Sequence, residues 1–111
     1  MNKEFNFADI VLVDFPYTNQ VQSKLRPSLV LLDTQDSDLL IARITSKKVK
    51  SDYDIELTEW EKAGLSLPSY VRIHKIITIE KTLAKLKLGT LQSLDKETVQ
   101  SSLKHLVSLF S

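Results

Sequence analysis

The chain of 111 residues has no cysteine, which excludes disulfides, zinc–thiolate centres and cysteine nucleophiles. It has two glycines, and neither belongs to a glycine-rich phosphate loop. Its two histidines form no His-Glu-x-x-His motif and have no tight carboxylate cluster beside them, so no metal and no other cofactor is expected. No Gly-x-Ser-x-Gly segment marks a serine nucleophile. No apolar run approaches a membrane span. The stretch from Met1 to Phe7 is polar and mixed in charge, without the apolar core of a signal peptide. These absences predict a cytoplasmic protein with no membrane partner. Fifteen Lys and Arg against fourteen Asp and Glu leave a net charge of +1. That excludes a bulk polyanion binder: any nucleic-acid site must be a local basic patch on a balanced surface.

What is present is the material of one domain, residues 1–111, with 42% hydrophobic residues and a length that buries a core without staples. The organising stretch is Arg26-Pro27-Ser28-Leu29-Val30-Leu31-Leu32. It is short, apolar and rich in strand formers, so it reads as a buried strand. Proline cannot donate to a sheet ladder, so Pro27 is expected at its first position, with Arg26 on the rim. The run Ala8 to Phe15, stopped by Pro16, is a first strand. Pro16 to Leu25 is a polar connection longer than usual. Turn residues Asp33 to Asp38 predict a hairpin into a third strand, Leu39 to Ser46. On it Leu39, Ile41, Arg43 and Thr45 share one face if no bulge intervenes. A basic loop with Lys47, Lys48 and Lys50 leads to a short fourth strand, Asp54 to Leu57.

Thr58-Glu59-Trp60-Glu61 fits a capping box opening a one-turn helix that Gly64 closes. A fifth strand covers Ser69 to Ile77, with Tyr70, Arg72 and His74 on one face. Thr78 to Lys87 reads as a helical turn and connector broken by Gly89. Asp95 is the expected N-cap of a last helix, whose apolar stripe is Val99, Leu103, Leu106, Val107 and Phe110. His105 lies off that stripe and is expected in solvent. The fold class is therefore mainly β with small helices: an antiparallel small barrel of about five strands plus a C-terminal α-helix.

The strand ends carry cations and hydroxyls: Arg26 on the second, Arg43, Thr45, Ser46, Lys47 and Lys48 on the third, Arg72, His74 and Lys75 on the fifth. If these ends converge they suit a phosphodiester, because arginine forks match phosphate oxygens and can stabilise a pentavalent transition state. RNA supplies its own nucleophile, the 2′-hydroxyl, so such a site needs only a base, an acid, positioning and charge neutralisation. Arginine stays protonated and acts electrostatically. Histidine is the side chain that exchanges protons near neutral pH.

In order along the chain, Ala8-Asp9-Ile10-Val11-Leu12-Val13-Asp14-Phe15-Pro16, Arg26-Pro27-Ser28-Leu29-Val30-Leu31 and Ala42-Arg43-Ile44-Thr45-Ser46-Lys47 resemble the successive strands of the MazF/PemK family of toxin endoribonucleases. Ala63-Gly64-Leu65, Pro68-Ser69-Tyr70-Val71-Arg72 and Leu88-Gly89-Thr90-Leu91 continue in the family's order. The resemblance implies an SH3-like barrel acting as a homodimer. It implies cleavage of single-stranded messenger RNA without metal, leaving 2′,3′-cyclic phosphate and 5′-hydroxyl ends. It also implies inhibition by a cognate antitoxin in the RNA groove, and binding of operator DNA through that complex. The family's catalytic arginine falls on Arg26 and its threonine on Thr45. Arg72 matches an arginine of the Kid-like branch, and His74 stands where that branch has aspartate, as a candidate proton carrier. Ser46, Lys47, Lys48, Lys24 and Lys75 are the candidate RNA contacts. Ala8 replaces a family glycine, a change expected to be harmless at a strand start. The 18–25 loop lacks the family's glycines. Two other functions fit a chain of this kind: a CcdB-like toxin that traps DNA gyrase without catalysis, less similar at Arg26-Pro27 and Thr45-Ser46, and a non-enzymatic SH3-like binding module.

Overall fold

The computed structural model describes residues 4–15, 24–48 and 51–110; the expected 16–25 connection lies outside them except for Lys24 and Leu25, as does Lys50. Strands β1 (Asp9–Phe15), β2 (Lys24–Asp33), β3 (Asp38–Thr45), β4 (Asp54–Glu56), β5 (Tyr70–Glu80) and β6 (Ala84–Thr90) precede helix α1 (Ser93–Ser108). They form one antiparallel sheet in the order β4-β5-β3-β2-β1-β6. The mainly β architecture with a C-terminal helix is the expected one, with six strands in place of five.

The apolar runs are continuous because both sheet faces are covered. Ile10, Leu29, Ala42, Ile44, Val71 and Ile73 form one cluster, under Val99 of α1. Val11, Val13, Val30, Leu39, Ile41 and Ile79 form a second. Successive residues of β1 and β2 thus serve opposite cores, as strand alternation requires. Pro27 lies inside β2 rather than at its start. It is tolerated there because the β2–β3 ladder begins only at Ser28, so the second edge of the strand is open at the proline.

Several local expectations are corrected. Residues 78–87 are not a helical turn with a connector. β5 runs on to Glu80, a single 3-10 turn spans Lys81–Leu83, and β6 follows with Gly89 inside it. Ala84-Lys85-Leu86-Lys87-Leu88 does alternate in sequence, but Lys85, Leu86 and Lys87 are all exposed on this edge strand and its pairing with β1 shifts register twice, so the alternation does not mark a buried face. Residues 58–64 form turns rather than a capped helix. The Thr58 hydroxyl donates to Asp95 Oδ1 at 2.9 Å, and the Thr58 and Glu59 amides also donate to that carboxylate. Asp95 is accordingly not the N-cap of α1: Gln92 holds that position. Asp95 sits in the first turn, where its charge suits the helix dipole, and ties the helix to the 58–59 backbone. Val107 and Phe110 are exposed while Val99, Leu103 and Leu106 pack on the core, because the sheet ends before the last helical turns. His105 is exposed, as expected.

Ala8 is not a harmless replacement. Its φ is 82°, a left-handed backbone that costs an alanine about 1–2 kcal/mol. It is held there by two bonds: its amide donates to Val30 O and its carbonyl accepts from Leu91 N, both at 3.0 Å.

The two glycines meet. A Cβ on Gly64, whose φ is +97°, would stand 2.2 Å from Leu88 O, and a Cβ on Gly89 would stand 2.2 Å from Ala63 O. Gly89→Ala is expected to destabilise the protein by at least about 2 kcal/mol, because the clash is with backbone. Gly64→Ala should cost roughly 1–2 kcal/mol more for its left-handed backbone, whereas Ala8→Gly should add about 1 kcal/mol of stability. Urea unfolding of the three variants checks this, and an unchanged midpoint for either alanine variant would contradict the contact.

Asp33 is a second tie. Its Oδ1 pairs with Lys81 Nζ at 2.8 Å and accepts the Gln35 amide at 2.8 Å, while Oδ2 accepts the Phe5 amide at 3.3 Å. The Lys81 hydrogen bond first, then the Gln35 amide, hold its carboxyl below the usual range against the opposing effect of burial. A folded-state pKa below the unfolded one gives stability that is complete above the ordinary carboxylate range, around pH 4, and lost as pH falls through the lower value. Asp33→Asn is expected to flatten the acid limb of the stability–pH curve below about pH 4 and leave the slope above neutrality alone. An unchanged acid limb in urea titrations would argue against this.

Candidate phosphodiester site

Chain direction brings the strand-end cations together only in part. The register pairs Ser28 with Arg43 across β2–β3. The ladder stops there, and beyond it lie Arg26 on β2 and Thr45 on β3. Both side chains line one cavity of about 380 Å³. Arg43 and the Ser46-Lys47 turn complete the β3 side. Leu12, Pro27 and Leu88 contribute apolar surface, and Gly64 to Leu67 with Ser69 form the facing wall. That wall stands against β6 because of the Gly64–Gly89 approach.

Among the described residues the lining holds three cations, Arg26, Arg43 and Lys47, hydroxyls from Thr45, Ser46, Ser66 and Ser69, and no carboxylate or imidazole. Such a donor set attracts an anion and offers a metal ion nothing to bind. Among the described residues no three His, Asp or Glu side chains converge as a metal site. Thr45 Oγ1 accepts the Lys47 amide at 3.1 Å, which leaves the hydroxyl proton available to a ligand oxygen. Ser69 is turned inward, donating to Leu67 O at 2.7 Å.

The other sequence-predicted residues stand outside the lining. Arg72 and His74 are half-buried on β5. Arg72 Nε pairs with Asp54 Oδ1 at 2.9 Å, and the Asp54 side chain is 1% exposed. His74 packs against the Tyr53 ring at 5.5 Å between centroids, and its Nδ1 is buried without a hydrogen-bond partner. Tyr70 pairs with Thr45 and Arg72 with Arg43, and the ladder is then interrupted until Ile76, so His74 lies in the irregular stretch of β5 beyond Arg72. Lys24, Lys48 and Lys75 are exposed and outside the lining. Lysine 50 is outside the described residues.

Sequence reasoning placed Arg43 at the strand end without naming it a site residue, although its spacing from Thr45 was the available signal. Nothing in the sequence marked Ser66, and Ser69, although inside the Pro68–Arg72 segment, carried no signal of a site residue.

The two neighbouring arginines differ in what they hold. Arg72→Ala would leave the buried Asp54 carboxylate unpaired, with an expected loss of about 3 kcal/mol. Arg43 has no ion pair or side-chain hydrogen bond among the described residues, so Arg43→Ala should stay within about 1 kcal/mol of the parent. Urea midpoints of the two variants decide this, and equal losses would contradict the assignment.

The fold matches that of several toxins. A model of PemK-like, MazF-like toxins of type II toxin–antitoxin systems matches residues 6–107. The Mycobacterium tuberculosis toxin MazF-mt6 superposes with a TM-score of 0.73 at 17% identity, covering 90% of this chain and 96% of that one. MazF in a MazE–MazF crystal structure from Deinococcus radiodurans gives 0.77 at 17% identity over 96% and 98%. An endoribonuclease in complex with its cognate antitoxin, from a mycobacterial species, gives 0.71 at 17% identity over 93% and 94%. No curated protein matches significantly. With nearly its whole length matched, this chain belongs to the PemK-like, MazF-like toxins of type II toxin–antitoxin systems.

Proposed function

We propose that this toxin is an endoribonuclease that cleaves single-stranded messenger RNA without a metal ion, by attack of the 2′-hydroxyl on its own phosphodiester. The observation that carries this reading is the cavity lining, which among the described residues has cations and hydroxyls but no carboxylate. Such a lining suits a substrate that brings its own nucleophile: the cavity orients the phosphate and neutralises charge, while water takes the 2′-hydroxyl proton and returns one to the leaving 5′-oxygen. Arg26 holds the scissile phosphate and stabilises the extra negative charge of the pentavalent state. Thr45 donates its hydroxyl to a phosphate oxygen. Arg72, its charge offset by Asp54, positions the neighbouring strand face. His74 exchanges protons at a remove, through water. Ser46 and Lys47 in the lining, with Lys24, Lys48 and Lys75 outside it, track the RNA backbone.

The reading extends to partners. One solved relative is an endoribonuclease in complex with its cognate antitoxin, and another is MazF solved together with MazE. We assign this chain an antitoxin that covers the same cavity, operator DNA bound through that complex, and a homodimeric state.

Incubation of antitoxin-free protein with single-stranded RNA in EDTA is expected to give 2′,3′-cyclic phosphate and 5′-hydroxyl ends. Absence of cleavage on any RNA would refute the reading. Arg26→Ala should lower the rate by two to three orders of magnitude, about 3 kcal/mol of transition-state stabilisation. Thr45→Val tests the hydroxyl at constant strand shape. His74→Ala should alter the rate profile between about pH 5 and 8, and an unchanged profile removes His74 while leaving Arg26 and Thr45 in place.

A further inference from the structure

We propose that Arg43 is a substrate-positioning residue that binds the backbone phosphate next to the scissile one. The inference rests on the reading of the cavity as an RNA site. Thr45 and Arg43 stand two residues apart on β3, and their pairing with β5 is regular from Arg43 to Thr45. Their side chains therefore share a face and rise about 7 Å apart, the scale of one step of a sugar–phosphate backbone. A phosphate held between Arg26 and Thr45 puts its neighbour beside Arg43.

The charge arrangement gives Arg43 its free valence. Arg43 faces Arg72 directly across the β3–β5 ladder, a placement that repels when both charges are uncompensated. Asp54, opposite Arg72 on its other side, takes that guanidinium in an ion pair. Arg43, on the side that lines the cavity, has no such partner among the described residues. Its other cross-strand neighbour is Ser28, whose buried Oγ has no hydrogen-bond partner and carries no charge. The row Ser28–Arg43–Arg72–Asp54 thus presents one uncompensated positive charge, held half-buried at the cavity. A half-buried guanidinium keeps more of its attraction for a phosphate than a fully solvated one, and its fork fits two phosphate oxygens.

Two experiments test this. The first measures binding of a mixed-sequence single-stranded oligonucleotide with 2′-deoxy sugars throughout, which supplies phosphates but no nucleophile. Arg43→Gln is expected to bind it about tenfold more weakly, with a salt dependence shallower by about 0.7 in the logarithmic slope, the loss of one phosphate contact on a single strand. Wild-type affinity and slope in the variant would overturn the proposal. The second uses an RNA with one neutral methylphosphonate on either side of the cleaved linkage. The wild-type protein should lose about tenfold in kcat/KM for one of the two positions, while Arg43→Gln should lose little more for that position. An equal loss in both proteins, or no loss in the wild type at either position, would also overturn it. The wild-type half of this experiment decides even if the variant fails to fold. Failure of wild-type protein to cleave any RNA would instead remove the ribonuclease reading, and the binding measurement would still report whether Arg43 holds a phosphate.

Discussion

The close approach of Gly64 and Gly89 is the constraint on which the rest of the molecule depends. Among the described residues no ladder joins β4 to β6, the two edges of the sheet. The backbone that follows β4 reaches β6 through a contact that admits no Cβ on either side. A chain with two glycines places both at this one contact and uses an alanine at the left-handed position before β1, where two hydrogen bonds hold it. The approach also sets the cavity, since the turn it pins supplies the wall facing Arg26 and Thr45. Sheet curvature and site shape are therefore one feature. A substitution that opens the glycine contact would widen the cavity as well as weaken the fold.

Buried acids do the complementary work. Asp9 accepts the Asn6 amide and the Thr90 hydroxyl and pairs with Lys87. Asp33 ties the segment before β1 to the β5–β6 turn, and Asp95 ties α1 to the backbone after β4. Each joins segments far apart in sequence. Each satisfies backbone amides that would otherwise be buried without partners, which is the case where a charged acceptor stabilises most. These carboxylates are spent on structure, away from the cavity, and the lining is left to cations and hydroxyls.

That division explains what could be read in advance. Arg26 and Thr45 were legible because a proline, a short apolar strand and period-two alternation placed both at strand ends. The first three strands were legible because their apolar runs are largely buried, and the fifth because its β-branched run is long, although Lys75 to Thr78 are exposed. β6 was not read as a strand although Ala84 to Leu88 alternate, because its alternation is short, broken by Gly89, and matches no buried face on an edge strand with two register shifts. The helix expected at Thr58 failed for a different reason. A threonine hydroxyl caps whichever acceptor or amide tertiary structure brings to it, and here Asp95, 37 residues away, won over the local amide. Tertiary partners of this kind leave no trace in local spacing. The same holds for Asp54 and Arg72, whose ion pair joins β4 to β5 and turns an apparent site cation into a compensated one.

That ion pair bears on how a chain of net charge +1 can present an anion site at all. The attraction of a cavity depends less on total charge than on which charges lack partners within a Debye length. Asp54 cancels the arginine farther from the cavity. Asp9, Asp33 and Asp95 are committed to distant ties. Arg43 therefore faces the cavity without a carboxylate partner among the described residues, although negative charge is abundant overall. The arrangement also limits how tightly the protein can hold nucleic acid non-specifically, because few uncompensated cations means few released counterions per site. Under the proposed reading, such a surface would hold a phosphodiester where the cavity fits it and release it elsewhere, as an enzyme that must leave its products requires.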